Sequence, residues 1–158
     1  MTWRVGLGFD VHPFSDDSSR RLVLGGVVLP GRGLAGHSDA DVVAHAVADA
    51  LLGAAGMGDL GSQFPESDQA WAGADSLVLL GQVSELVAAA AWRVENVDCA
   101  VVLETPRLAT HREEMQARLA AAVGGEVSVK PKRAEGLGAL GRSEGIACWA
   151  VALLERPD

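Results

Sequence analysis

The chain is 158 residues long, enough for one domain spanning 1–158 with a sizeable core, and 49% of its residues are hydrophobic. A net charge of −8 argues against a general nucleic-acid binder, because phosphate backbones call for a basic surface. No apolar run reaches membrane-spanning length and no signal-peptide pattern opens the chain, so no membrane partner is expected.

Arg4 to Val11 reads as a first strand. Residues two apart in a strand share a face, so Asp10 and His12 point the same way. Gly6 and Gly8 leave that face bare, so something can come close. Trp3, Val5, Leu7, Phe9 and Val11 point the other way, toward a core. Residues 13–21 form a polar loop, and Leu22 to Leu29 reads as a hairpin turning at Gly25-Gly26. Gly31-Arg32-Gly33 opens another loop. Ser38 is the expected N-cap of a helix, with Asp41 completing a capping-box-like start. That helix runs to about Ala55 and stops at Gly56. Asp41, His45 and Asp49 are spaced four apart and share one helical face, which offers carboxylates to orient the His45 ring. Asp10, His12 and His45 together make three protein ligands, and a catalytic zinc keeps its fourth position for water or substrate.

Residues 59–73 form a loop rich in acids and glycine, followed by a second helix from Ala74 to Ala91. Val94 to Glu104 reads as a strand, broken at Pro106. Leu108 to Val123 is a third helix ended by Gly124-Gly125. Glu126 to Lys130 is a short strand. Ile146 to Leu154 is nearly all apolar, so both its faces should be covered. Cys99 and Cys148 lie in apolar runs without metal-type spacing. Buried free thiols in a reducing cytoplasm are expected rather than a disulfide. Alternating strands and helices predict an α/β fold (an α+β sandwich) of one sheet and one helical layer. Alanine and glycine bury little area each, so part of the stability is expected to come from packing against copies of the chain.

Gly8-Phe9-Asp10-Val11-His12 and His37-Ser38-Asp39-Ala40-Asp41-Val42-Val43-Ala44-His45 are joined by further motifs. These are Asp49-Ala50-Leu51-Leu52-Gly53, Gly58-Asp59-Leu60-Gly61, Phe64-Pro65-Glu66-Ser67-Asp68, Gly73-Ala74-Asp75-Ser76, Glu135-Gly136-Leu137-Gly138 and Gly141-Arg142-Ser143-Glu144-Gly145-Ile146-Ala147. From about Val5 to Leu154 the chain resembles the 2-C-methyl-D-erythritol 2,4-cyclodiphosphate synthase family. The resemblance implies a single mixed sheet with helices on one face, assembled as a homotrimer around a central axis. It implies metal-dependent intramolecular phosphoryl transfer on 4-diphosphocytidyl-2-C-methyl-D-erythritol 2-phosphate, with CMP released, in non-mevalonate isoprenoid biosynthesis.

The same resemblance distributes the roles. Asp10, His12 and His45 would hold Zn²⁺, and Glu135 would hold Mg²⁺ or Mn²⁺. His37 would stabilise the transition state, and His37 and Ser38, read as the start of the helix, would grip phosphate oxygens. Asp59, Gly61, Phe64 and Asp68 would contact the ribose or erythritol end. Leu103, Thr105, Pro106, Arg107, Leu108 and Ala109 would form the cytosine pocket, contributed by a neighbouring subunit. Arg142 and Glu144 would line the central axis, with ion pairing across it as the plainer role.

The chain departs from that family where a run of threonines usually precedes the glutamate: it reads Lys132-Arg133-Ala134-Glu135. A guanidinium binds phosphate bidentately, so Arg133 is the expected replacement for a catalytic threonine, beside Lys132 and Ala134. Ala72 stands where a basic residue is common, and Ala139 where an aromatic often lines the axial cavity. Two other readings compete: a metal-dependent phosphohydrolase using the same Asp–His–His set, and a non-enzymatic trimer that binds an isoprenoid diphosphate.

Overall fold

A computed structural model of the chain describes residues 1–158. The main sheet has four strands in the order β1-β6-β4-β5: β1 (Thr2–Pro13), β4 (Arg93–Val102), β5 (Glu126–Lys132) and β6 (Gly145–Arg156). β1 pairs antiparallel with β6 from Thr2↔Arg156 to Pro13↔Gly145. β6 is antiparallel to β4, and β4 is parallel to β5. A separate hairpin joins β2 (Leu22–Leu24) to β3 (Val27–Leu29), turning at Gly25-Gly26 as expected. Three long helices cover one face of the sheet: α1 (Val42–Ala55), α3 (Ser76–Ala89) and α4 (Arg112–Val123). Short helical turns at α2 (Leu60–Gln63), residues 69–71 and α5 (Gly138–Gly141) break the loops. No helix is long and apolar enough to cross a membrane. The α/β reading with one helical layer therefore holds.

The face of β1 that carries the core is the opposite of the one expected. Val5 and Leu7 are each 68% exposed, and Trp3, Phe9 and Val11 are also open. The glycine face is the buried one. A Cβ on Gly8 would lie 1.9 Å from the Ala46 carbonyl, and one on Gly6 would lie 2.0 Å from the Ala50 carbonyl. Ala46, Ala50 and Ala54 recur every four residues on α1, so a smooth helix stripe meets a bare strand and the backbones nearly touch. Close approach was anticipated for this face, but its partner is the chain's own helix. On β6, Trp149 and Val151 are exposed beside Phe9 and Leu7, so the chain itself covers one face and the expected cover of the other falls to a partner surface. The open face is thus apolar across β1 and β6, and polar where Asp98 meets Ser128 and Lys130 across β4 and β5.

Helix α1 begins three residues later than the expected cap. Asp41, not Ser38, is the N-cap and accepts from Val43 and Ala44 N–H. The same carboxylate accepts from Gly25 N at 2.9 Å and Gly26 N at 2.7 Å. Asp41 therefore pins the hairpin to the helix, a long-range gain that Ser38 has no means of matching. Burial pushes its carboxyl up to about 6, against the N–H donors of Ala44 and Gly26. At the other end Gly56 closes α1 in the left-handed conformation, as expected. On α4, Met115, Leu119 and Val123 are the buried residues, four apart. Cys99 and Cys148 are buried free thiols.

Candidate metal centre and its cavity

Asp10 and His12 sit side by side near the end of β1, on the face covered by α1, and His45 reaches them from the first turn of that helix. His12 Nε2 lies 2.9 Å from Asp10 Oδ2, and His45 Nδ1 lies 3.0 Å from the same oxygen. The two imidazole nitrogens are 3.3 Å apart. The three ligand atoms fall within 4.8 Å of one another, so they meet around one point. His12 Nδ1 bonds the Ala35 carbonyl at 2.8 Å. A carbonyl only accepts, so Nδ1 carries a proton and Nε2 is the nitrogen turned to the cluster. Gly36 lets the loop lie flat against that ring, since a Cβ there would come within 3.0 Å of His12 Cε1.

Burial opposes ionisation of Asp10, but hydrogen bonds from His12 and His45 outweigh it and hold the carboxyl well below its usual range. Burial likewise lowers the His12 pKa, and the Asp10 carboxylate more than reverses this, so the net shift is upward. One ionised carboxylate oxygen and two imidazole nitrogens are the donors that a divalent ion such as zinc prefers, with one position left toward the cavity. The residues present fit a bound metal.

The cavity over this cluster has a volume of about 320 Å³. Asp10, His12, His37, Ser38, His45, Asp59, Gly61 and Phe64, all singled out from the sequence, line it together. Asp49, expected beside His45, lines it too, and so do Leu60, Glu66, Trp71 and Leu79, which were not foreseen as site residues. Phe64 and Trp71 close one wall edge to face, their ring centroids 4.9 Å apart. Two acids of the wall have structural jobs: Asp49 accepts from Leu60 N at 2.7 Å, and Asp59 caps α2 through Ser62 N at 2.8 Å. Asp68 caps the turn at residues 69–71 through Ala70 N, and its carbonyl lies 3.2 Å from His37 Nε2.

Two local expectations give way here. Asp41 and Asp49 do not orient His45, because both carboxylates are bound to backbone N–H groups elsewhere. The ring is instead held at Nε2 by Ser76 Oγ at 2.8 Å and Ser38 Oγ at 3.1 Å. Ser38 accordingly turns inward, and the first N–H groups of α1 are already taken by Asp41. The helix N-terminus is therefore not a free anion site.

The remaining candidates gather elsewhere. Leu103, Pro106, Arg107, Leu108, Ala109, Lys132 and Arg133 line a second cavity of about 300 Å³ with Glu104, Arg112 and Pro131. Thr105 opens onto an adjoining one. Glu104 accepts from Arg133 Nη2 at 3.1 Å and from Ala134 N at 2.8 Å. The guanidinium pulls the Glu104 pKa down despite some desolvation. Glu135 follows in a left-handed conformation, φ 56°, with its side chain exposed. Arg142 pairs with Glu144 of its own chain at 2.8 Å. Both cavities lie at the same end of the sheet, but on opposite edges. β6 and β4 separate the β1 edge from the β5 edge, three inter-strand spacings or roughly 14 Å.

The model of the YgbB family matches residues 3–155. The chain is 55% identical over 159 residues to the 2-C-methyl-D-erythritol 2,4-cyclodiphosphate synthase of Rubrobacter xylanophilus, covering 98% of this chain and 96% of that protein. It is 54% identical over 155 residues to the bifunctional enzyme IspD/IspF of an Anaeromyxobacter species, where it spans 96% of its own length but only 40% of that protein. Among solved structures, the Plasmodium falciparum IspF CDP complex superposes with a TM-score of 0.85 at 29% identity, covering 99% of this chain and 97% of that one.

Proposed function

Because the chain belongs to the YgbB family, we propose that it closes 4-diphosphocytidyl-2-C-methyl-D-erythritol 2-phosphate into 2-C-methyl-D-erythritol 2,4-cyclodiphosphate with release of CMP. It is an enzyme of isoprenoid biosynthesis. The observation that carries the reading is the convergence of Asp10, His12 and His45 on one point at the floor of a cavity rimmed by His37.

The substrate carries both reacting groups, so the work left to the protein is orientation and the screening of phosphate charge. A zinc ion on Asp10, His12 and His45, when bound, supplies Lewis-acid charge beside the diphosphate. Glu135 would hold Mg²⁺ or Mn²⁺, a hard ion that would supply positive charge to the phosphates. His37 supplies a hydrogen bond to the reacting phosphate from the cavity rim. Asp59, Gly61, Phe64 and Asp68 bound the ribose and erythritol portion, and the Phe64–Trp71 pair gives it an apolar wall. Leu103 to Ala109 enclose the cytosine. Arg133 binds phosphate: its side chain is 59% exposed and one nitrogen is engaged by Glu104, which leaves the other N–H donors free. Lys132 and Ala134 flank it, and Arg142 with Glu144 lines the axis.

The two cavities of one protomer open on opposite edges of its sheet, which supports a homotrimer as the catalytic unit. Each complete site joins the β1 edge of one subunit to the β5 edge of the next. The uncovered apolar face of β1 and β6 supports the same assembly, because a monomer rarely leaves so many large side chains contiguous in water. The cytoplasm suits the two reduced thiols.

Phosphorus NMR of the turnover mixture tests the reaction. A cyclic diphosphate appearing with equimolar CMP is expected. Linear phosphate products would replace this reading with a metal-dependent hydrolase. His45→Ala should abolish turnover, and activity retained in that variant would remove the metal centre from the mechanism.

A further inference from the structure

We infer that Ser76 and Asp39 form a hydrogen-bond relay that fixes the tautomer and orientation of His45 for its metal. The inference rests on the metal-centre reading above and adds two positioning residues to it. His45 Nδ1 faces Asp10 and His12, so its other nitrogen, Nε2, points away, toward Ser76 Oγ at 2.8 Å. The Ser76 hydroxyl has one proton, and that proton is committed: Ser76 Oγ donates to Asp39 Oδ1. A carboxylate only accepts. The Ser76 oxygen is left to accept, so the proton between it and His45 belongs to Nε2. The Nδ1 lone pair then faces the ion.

The two imidazoles are thus fixed by opposite nitrogens. His12 donates Nδ1–H to the Ala35 carbonyl and offers Nε2, while His45 donates Nε2–H to Ser76 and offers Nδ1. Each ring thus turns a fixed nitrogen to the same point before any ion arrives, and the proton it shares there with Asp10 leaves when the ion binds. The relay itself is firmly seated. Ser76 is 1% exposed, and Asp39 also accepts from Ser76 N at 3.2 Å and Asp41 N at 3.1 Å. It therefore ties the start of α3 to the start of α1 behind the ligand. An acceptor of this kind behind a metal-bound histidine raises its basicity and holds its plane, and loss of one typically weakens metal binding 10–100-fold.

Zinc itself is the probe, competed against a chromophoric chelator on the full chain. Ser76→Ala leaves all three ligands in place and should weaken zinc binding about 10–100-fold. The melting temperature of the zinc-free protein should change little, because the Ser76 N–H bond to Asp39 survives. Asp39→Asn, which keeps an acceptor but loses the charge, should weaken binding by a smaller factor. Long-range proton–nitrogen NMR of the zinc-loaded wild-type chain should place a proton on His45 Nε2, and this measurement needs no variant to fold. Zinc affinity within twofold of wild type in Ser76→Ala, or zinc bound through Nε2, overturns the relay alone. Wild-type zinc affinity in His45→Ala overturns the metal centre and the relay with it.

Discussion

Gly8→Ala places a single methyl group between β1 and α1, where the structure leaves no room for one. The new Cβ would sit 1.9 Å from the Ala46 carbonyl oxygen, 2.7 Å from Ala50 N and 2.9 Å from Ala46 C. These are backbone atoms of a helix and have no rotamer to change. Reaching ordinary contact, roughly 3.4 Å, requires α1 to lift from the strand by about 1.5 Å locally. Overpacking a core costs about 1–3 kcal/mol when side chains can adjust, so a clash with backbone belongs at about 3 kcal/mol or above. For a chain of this length that corresponds to a melting temperature lower by about 6–12 °C. The metal centre should suffer out of proportion. Asp10 and His12 ride on β1 and His45 on α1, and metal–ligand distances tolerate only about 0.2 Å. Zinc affinity should fall at least about tenfold in the fraction that folds. Gly53→Ala is the matched control. It lies in the exposed interior of the same helix, and the nearest atom to its new Cβ is Leu7 O at 3.8 Å. Replacing a helical glycine there should stabilise by about 0.5–1 kcal/mol and leave zinc binding unchanged. Differential scanning fluorimetry with a chelator competition reads both effects. A Gly8→Ala protein that melts and binds zinc like wild type would show that α1 is not packed against β1 as described.

The pH dependence should reverse sign when metal is added. His12 in the metal-free fold has a raised pKa, so its contribution is present below about 6.5 and is lost as pH rises through the higher folded value. Asp41, raised to about 6, acts in the same direction between about pH 4 and 6. Asp10 is depressed, so its contribution is lost only as pH falls below about 4. Metal-free protein should therefore melt higher at pH 5 than at pH 8. Zinc affinity should instead drop by roughly tenfold per pH unit on the acid side of His12, because the ion must displace its proton; a flat affinity profile from pH 5 to 8 would contradict this. Glu104→Gln removes the charge that holds Arg133 and keeps an acceptor for Ala134 N. It should alter KM for the cytidyl substrate while leaving zinc affinity intact, and an unchanged KM would detach Arg133 from binding. Leu7→Glu puts a charge on the open apolar face and should give monomers in sedimentation velocity, with zinc still bound; a surviving trimer would place the subunit interface elsewhere.

The helices and strands were legible from periodicity and their glycine stops, and the Asp–His–His cluster from the two-residue and four-residue spacings that strands and helices impose. The orientation of β1 was not. Large apolar side chains ordinarily mark the core, yet here Gly6 and Gly8 do, because their partner stripe on α1 is alanine and the gain lies in close backbone approach. The clue was present in the spacing of Ala46, Ala50 and Ala54, but only pairing the two stripes makes it readable. The choice between Ser38 and Asp41 as N-cap was a tie locally. It is broken by Gly25 and Gly26, sixteen and fifteen residues away from Asp41. Ser76 was missed for the same reason, since its contact with His45 spans 31 residues and leaves no local pattern.

The two faces of the sheet divide the labour in a way that makes these perturbations separable. The helical face fixes the ligand atoms within one chain, so changes at Gly8, Ser76 or Asp39 act on metal affinity directly, whatever the assembly state. The open face carries no ligand atom, and in the proposed trimer substitutions there reach the chemistry only by parting one subunit's β1 edge from the next subunit's β5 edge. A monomeric Leu7→Glu protein should therefore bind zinc normally and turn over nothing. Mixing it with an excess of His45→Ala chains should restore no activity either, since the charged face cannot join the assembly. By contrast, His45→Ala mixed with Glu135→Gln should recover part of the lost turnover. In a mixed trimer some interfaces bring an intact β1-edge half-site against an intact β5-edge half-site, which neither variant provides alone.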